Sequence, residues 1–316
     1  MDVMVTGSSG KLGGAACRAL ASAGHRVVGV DRRPGLGVGE GFVVEELGDP
    51  MGVHRAFGRA MEVFGGAPSL VVHLAAHTNT RAATAERVLG ENLSMASSVF
   101  LGAMQYGVSG VVFSSSVQAF LGGMDLPMEM PEESLPRPER LPIDEGHPAR
   151  PTNPYGVSKL LTERMLDELC SGREGLLGAG GAVVGAGLCG VSVRLPYLLN
   201  DRAFRWAGGK EHRPGYRWGG VEGFAYLHVD DAGELIVRVG EVMVGDGFSG
   251  HEVVWACAPD PRHSGSLSEV VGEHYGGVEG AEAALSSGSL HDCSKAARLF
   301  GWEPRRLLRE ARAGAV

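Results

Sequence analysis

An α/β fold built on a doubly wound parallel sheet is what this sequence predicts, and three observations predict it. Short apolar runs rich in valine alternate with longer helical stretches, the rhythm that sets parallel strands side by side with helices on both faces. The first run, Val3-Met4-Val5-Thr6, passes directly into Gly7-Ser8-Ser9-Gly10-Lys11-Leu12-Gly13 and an alanine-rich helix through Ala23. A second run, Arg26 to Val30, ends at an acid, Asp31, which lies 21 residues beyond Gly10.

The elements follow in order from their residues. In the glycine turn, Gly7 permits the tight bend, Gly10 lets backbone amides approach a pyrophosphate, and Gly13 lets the helix pack closely on the sheet, so that the helix N-terminus faces the phosphates. Asp31 can accept hydrogen bonds from adenosine ribose hydroxyls and repel a 2'-phosphate, which favours NAD over NADP. Arg32 and Arg33 beside it can cover the adenine face or, as a weaker reading, hold a phosphate. Phe42-Val43-Val44 makes a third strand, after which Asp49 can meet an adenine amino group or cap a helix from Met51; the two roles are compatible. Leu70 to Ala76 is a fourth strand ending in small residues, where backbone approaches a ligand. His73, inside that apolar run, is expected to be a satisfied core histidine, while His77 has the better claim on the mouth of a site. A helix from Asn92 to Tyr106 leads to Val111-Val112-Phe113-Ser114-Ser115-Ser116, a buried strand ending in hydroxyls.

Composition narrows the classes. With 316 residues, 44% hydrophobic and 21% charged, the chain can bury a full core. Its formal charge of -8 and pI near 5.8 argue against nucleic acid or an anionic membrane as the main partner. The five cysteines are an odd number, scattered and without metal-ligand spacing, so reduced thiols, a cytoplasmic location and no metal are expected. The first strand starts at Val3, which leaves no room for a secretory leader. Leu176 to Val193 carries no charge, but six of its 18 residues are glycine. It reads as a loop running into a buried strand, not a membrane span, and Gly178 to Gly181, which precedes a strand, is assigned no ligand.

The chemistry is expected at Pro154-Tyr155-Gly156-Val157-Ser158-Lys159. Residues at i and i+4 share one helix face, so the Tyr155 phenol and the Lys159 ammonium can meet one ligand. The ammonium is expected to draw the phenol below its usual value of ~10, toward a base that works near neutrality.

Thr6-Gly7-x-x-Gly10-x-x-Gly13, Asp31, His73-Leu74-Ala75-Ala76, Phe113-Ser114-Ser115-Ser116 and Tyr155-x-x-x-Lys159, in this order, resemble an extended short-chain dehydrogenase/reductase of the NAD-dependent epimerase/dehydratase group. Val193-Arg194-Leu195-Pro196, His228-Val229-Asp230-Asp231-Ala232 and Ser294 to Pro304 agree, so the resemblance covers nearly the whole chain. It implies a Rossmann domain over 1–195 with 224–258, a small discontinuous substrate-binding lobe over 196–223 and 259–316, and NAD as cofactor. Gly7, Ser9, Gly10, Lys11 and Leu12 would meet the phosphates, Asp31, Arg32 and Asp49 the adenosine, and Leu74, Ala75, Ala76, Ser114 and Pro196 the rest. Tyr155 would be the general acid/base, Lys159 its partner and a ligand of the nicotinamide ribose, and Ser116 the residue orienting the substrate oxygen. Strand alternation sets Ser115 on the opposite face and leaves Ser114 as the rival. Asn92 would be structural, and the helices of Asn92 and Tyr155 would pair across a homodimer.

Departures from the family pattern bear on substrate. Ser116 is followed by Val117-Gln118 and not by acids, which disfavours a dehydratase. Phe224 stands where nucleotide-sugar epimerases commonly carry a diphosphate-binding arginine; Arg202, Arg205, Arg213 and Arg217 are nearby in sequence as substitutes. The Pro-rich stretch 122–153, part of a segment from Gly122 to Pro154 with 8 of the 16 prolines, reads as an active-site loop or a surface excursion. Some stretches are also similar to uronate dehydrogenases. The expectation is an oxidoreductase acting on a hydroxyl of a sugar, sugar acid or polyol. The alternatives are a nucleotide-sugar epimerase that uses NAD transiently, a non-catalytic NAD-binding regulator, and an NADP-dependent carbonyl reductase, which Asp31 disfavours.

Overall fold

The structure is a computed structural model that describes residues 1–35, 39–78, 83–123, 126–127, 129–172, 188–208, 217–245 and 247–313. Gly178 to Gly181, Arg213 and the side chain of Arg217 lie outside the described residues.

Val3, Met4 and Val5 are fully buried because their strand, β1 (Asp2–Thr6), has neighbours on both edges and helices on both faces. It pairs in parallel with β2 (Arg26–Asp31) on one side and β4 (Leu70–His73) on the other. With β3 (Gly41–Val44), β5 (Gly110–Ser116), β6 (Cys189–Leu195) and β9 (His251–Trp255), the sheet has seven parallel strands in the order β3-β2-β1-β4-β5-β6-β9. One face is covered by α1 (Lys11–Ser22) and α6 (Val229–Val244), the other by α2 (Pro50–Phe64), α3 (Ala85–Gln105) and α4 (Pro154–Cys170). Strand order reverses between β1 and β4, and a crevice opens there at the carboxyl ends of the strands.

Between β6 and β9 the chain builds a two-stranded parallel sheet from β7 (Tyr197–Leu199) and β8 (Tyr226–His228), with α5 (Asp201–Gly208) between them. Three-residue strands carry no periodicity of their own, and the sequence reading did not separate them. After β9 come α7 (Leu267–His274), α8 (Ala281–Ser287), α9 (Ser294–Phe300) and α10 (Leu308–Arg312). A third apolar cluster, with Phe120, Ile143, Phe224, Trp255 and Tyr275 at its centre, joins this lobe to the segment after β5.

In its described part the stretch 122–153 packs against the C-terminal lobe. Leu141 N–H donates to Glu279 O at 2.7 Å, Ile143 N–H to Leu290 O at 2.8 Å, and Asp292 N–H to Ile143 O at 2.8 Å, so it is bonded into the C-terminal lobe as a packed layer. Asp231, in the first turn of α6, accepts from the backbone N–H groups of Arg305 at 3.1 Å and Arg306 at 2.9 Å and fastens residues 302–306 to that helix. The cysteines have no sequence pairing, yet the fold brings the free thiols of Cys257 and Cys293 to 3.6 Å. Among the described residues, no helix is long and apolar enough to cross a membrane.

Candidate active site

A cleft of about 840 Å³ runs across the carboxyl ends of the strands. Its floor at one end is the turn after β1. Gly7 has φ of +69°, and a Cβ on it would lie 2.7 Å from Ala75 N. A Cβ on Gly13 would lie 2.1 Å from Gly7 O, so these glycines are fixed by close approach of backbone to backbone. Gly10 caps α1 with extended backbone and without a side-chain hydrogen bond, which leaves the positive end of the helix facing the cleft. Lys11 and Leu12 line the same wall.

Asp31 ends β2 at the cleft wall, 8% exposed. One of its oxygens accepts from Ser9 N–H at 3.1 Å and the other from Arg33 N–H at 3.0 Å, so the carboxylate is held in place with lone pairs to spare for hydroxyl donors. Arg32 and Arg33 line the cleft beside it. Ser9 does not line it; its hydroxyl donates to Arg33 O at 3.0 Å, and its part is to position the Asp31 turn. Asp49 is not brought to the cleft either. It caps α2, accepting from Met51 N–H at 3.0 Å, and pairs with Arg55, while Glu45, Glu46 and Leu47 occupy that end of the wall. Leu74, Ala75, Ala76 and Pro196 line the cleft as expected. A glycine cradle under a helix end, a fixed carboxylate and a cleft of about 840 Å³ fit a dinucleotide such as NAD.

The other end of the cleft holds Ser114, Ser116, Tyr155 and Lys159. Asn153 caps α4 by accepting from Gly156 N–H at 2.7 Å and fixes the helix that carries the last two. Ser115 points away, its hydroxyl bonded to buried Glu163 on α4, as alternation along β5 requires. Ser114 donates to His73 O at 3.3 Å, while Ser116 accepts from Gln118 N–H at 3.1 Å and acts on the Tyr155 phenol in the sense that lowers it. Of the two rivals, Ser114 has its hydroxyl engaged by the His73 carbonyl, and Ser116 is the one that acts on the phenol.

The charge states differ from the sequence expectation. Burial pushes the Tyr155 phenol up to about 12, with the Ser116 hydrogen bond acting against it, and pushes Lys159 down to about 7, with Glu163 acting against it. Lys159 does not reach the phenol oxygen here: its Nζ donates to Ser114 O at 2.6 Å and lies 5.5 Å from the Tyr155 ring centre. Burial disfavours both charged forms, and that effect outweighs the attraction between them. His73 is a core residue, as expected: buried, 2.8 Å from Thr6 Oγ1, and driven to about 3 by burial and by Lys159. Asn92 is structural, accepting from His77 N–H at 2.7 Å and donating to His77 O and Ser158 Oγ at 3.0 Å each. His77 itself lines the cleft and pairs with Glu91.

Three residues escaped the sequence reading. Glu222 comes to the cleft from the lobe between β7 and β8. Arg262 stands beside Phe224, its N–H donating to Phe224 O at 2.9 Å and its guanidinium 4.4 Å from the ring centre of Tyr197, which lines the cleft. Glu163, under Lys159, is paired to Arg194 at 2.9 and 3.0 Å. Arg202 and Arg205, expected as substitutes for the missing arginine, are exposed on α5 and outside the cleft lining.

A doubly wound sheet with this glycine turn and a Ser-Tyr-Lys constellation at its switch point defines a nucleotide-binding site of the short-chain dehydrogenase type. Residues 3–246 match the model of the NAD dependent epimerase/dehydratase family, and the chain belongs to that family, whose cofactor is NAD. A UDP-glucose 4-epimerase of Streptomyces lividans is 28% identical over 170 residues, a match taking in 52% of this chain but only 46% of that protein. Among solved structures, a short-chain dehydrogenase/reductase superfamily protein from Agrobacterium tumefaciens with bound NAD superposes with a TM-score of 0.67 at 19% identity, covering 99% of this chain and 95% of that one. The UDP-glucose 4-epimerase of Thermotoga maritima, solved with UDP-glucose, gives 0.64 at 21% identity, covering 99% and 96%.

Proposed function

We propose that this protein oxidises a hydroxyl of a sugar, sugar acid or polyol, with Ser116, Tyr155 and Lys159 as its reacting group. The observation that carries the reading is the meeting of Ser116, Tyr155 and Lys159 at one end of a cleft whose far end is a dinucleotide cradle. Because Gln118 N–H occupies a lone pair of Ser116 Oγ, the serine hydrogen is free to be donated to the phenolate or to a substrate oxygen. Tyr155 in its phenolate form takes the hydroxyl proton, and Lys159 in its ammonium form favours that phenolate. NAD, when bound, supplies the acceptor for the hydride that leaves the same carbon, so that a C=O forms as the O–H and C–H bonds break. Residues 1–195 with 224–258 would hold the cofactor and 196–223 with 259–316 the substrate. The homodimer belongs to the same proposal, supported by Leu101 on α3 and Leu161 on α4, both exposed on the helices expected to pair. So does a cytoplasmic location, supported by the free thiols.

A second reading, transient oxidation within a nucleotide-sugar epimerase, is favoured by the Streptomyces relative. Its diphosphate would need a cation in place of Phe224, and Arg262, whose guanidinium is 4.4 Å from the ring centre of the cleft residue Tyr197 but outside the lining itself, is the candidate. A non-catalytic regulator has no use for the intact trio. Incubation of the protein with NAD and a panel of free sugars, uronates and nucleotide sugars, read for NADH build-up and for epimers, separates the two enzymatic readings. Tyr155→Phe should lower turnover ~100- to 10,000-fold while NAD binding persists; undiminished turnover in that variant would sink both.

A further inference from the structure

The acids that the sequence lacks after Ser116 are answered by one acid from elsewhere in the chain. Glu222 closes the turn Arg217–Glu222, 104 residues from Gln118, and enters the cleft lining together with Ser116, Gln118 and Tyr155. One of its oxygens accepts from the Gln118 side-chain amide and from Gly123 N–H at 3.1 Å. Gln118 in turn accepts from Asn153 Nδ2 at 2.7 Å, and Asn153 caps the helix of Tyr155 and Lys159. The carboxyl is therefore oriented by a chain of side-chain bonds that runs to the catalytic helix. The backbone turns sharply just after it: Gly223 has φ of +65°, which glycine adopts freely, and Phe224 φ of +50°, which is strained for a side chain of its kind. Glu222 is 9% exposed, and the nearby cation of Arg262 only partly offsets the cost of its burial. A buried carboxyl held through one oxygen at a ligand cleft is costly unless a ligand uses the other.

We propose that Glu222 is the specificity-determining residue of the substrate pocket, pairing through its second carboxyl oxygen with a ring hydroxyl other than the one Tyr155 deprotonates. The substrate carries a neutral hydroxyl at that place, not a carboxylate or a phosphate, since a second anion there would be repelled by the Glu222 carboxylate. The proposal rests on the sugar-oxidising reading above and narrows it.

The test is a coupling measurement. D-glucose, D-galactose, D-glucuronate and UDP-glucose are compared for kcat/KM, and the monodeoxy analogues of the best one are measured with unmodified, Glu222→Gln and Glu222→Ala protein. Binding of the same series is measured on NAD-loaded Tyr155→Phe protein with and without each Glu222 change, which reads recognition without turnover. One deoxy analogue should cost the unmodified site about 10- to 100-fold, in KM more than in kcat, and cost the Glu222→Ala site nothing further. The remaining analogues should stay additive, and NAD affinity should be unchanged. Additivity at every ring position, or loss of NAD binding in the Glu222→Gln protein, overturns the proposal and leaves Glu222 a structural link. Binding of the sugars without turnover in the unmodified protein would refute the catalytic reading while the coupling still decides Glu222. No binding of any of the four overturns both.

Discussion

Replacing Glu163 by glutamine tests whether the reacting group is supported from below. Glu163 and Arg194 have side chains only 4% and 6% exposed and are joined by two bonds of 2.9 and 3.0 Å. Glu163 also accepts from Ser115 and is the charge that supports the Lys159 ammonium. Removing one partner of such a pair leaves a buried charge without compensation, at a cost of about 3–5 kcal/mol. With an unfolding entropy of roughly 2.1 cal/mol/K per residue, a chain of this length should lose about 5–8 °C in Tm. A second effect follows from sign. Lys159 titrates at about 7 with Glu163 present, so loss of the carboxylate moves it lower and thins the ammonium population at neutral pH. Glu163→Gln should therefore lose more activity at pH 8 than at pH 6 relative to the unmodified protein. Scanning calorimetry and a pH series of kcat check the two effects. A Tm within about 1 °C of the unmodified protein would show that the pair is not desolvated as argued, and a uniform activity loss across pH would show that Glu163 does not act through Lys159. Replacing both partners by apolar residues of similar size should recover most of the lost stability.

Other outcomes are expected. Asp31→Ala should narrow the preference for NAD over NADP in equilibrium binding, whereas equal affinities in the unmodified protein would mean that Arg32 or Arg33 holds the 2'-phosphate. Gly13→Ala puts a methyl 2.1 Å from Gly7 O, a backbone atom that cannot yield, so NAD affinity should fall by at least tenfold with a lower Tm; wild-type binding by calorimetry would refute the cradle. Because burial holds the Tyr155 phenol near 12 and Lys159 near 7, the oxidative rate should rise with pH up to about 7 and level off above it, where loss of the ammonium offsets the growing phenolate; a rate still rising steeply between about 8 and 10 would show that the phenolate does not depend on Lys159. Leu161→Glu should give a monomer in sedimentation at micromolar concentration if α4 forms the dimer contact.

The half of the molecule that holds the cradle was legible because its signals are local. Gly7, Gly10 and Gly13 act within one turn, Asp31 ends the next strand, and Ser115 is turned away by the two-residue period of β5, a rule that needs no tertiary knowledge. Asp49 was readable as a cap, which the structure shows, and as an adenine contact, a place at the cleft wall that Glu45, Glu46 and Leu47 take instead. Glu222 and Arg262 could not be read at all. Each meets its partner across a separation that no spacing rule spans, and Gln118 with a glutamate 104 residues away is no motif. The i, i+4 rule likewise gives a shared face for Tyr155 and Lys159 but not the Ser114 carbonyl that accepts from the ammonium.

The fastening of residues 302–306 to Asp231 has a consequence for the order in which the protein is made. α6 covers the same face of the sheet as α1, the helix that opens the phosphate turn, and Asp231 in its first turn needs the backbone N–H groups of Arg305 and Arg306 to satisfy its buried carboxylate. During translation the glycine turn and α1 leave the ribosome early, yet the covering helix keeps an unpaired acid until residues 302–306 follow. A nascent chain halted before Trp302 should therefore be open to protease along α1 and α6, and release of the segment beyond it should close both at once.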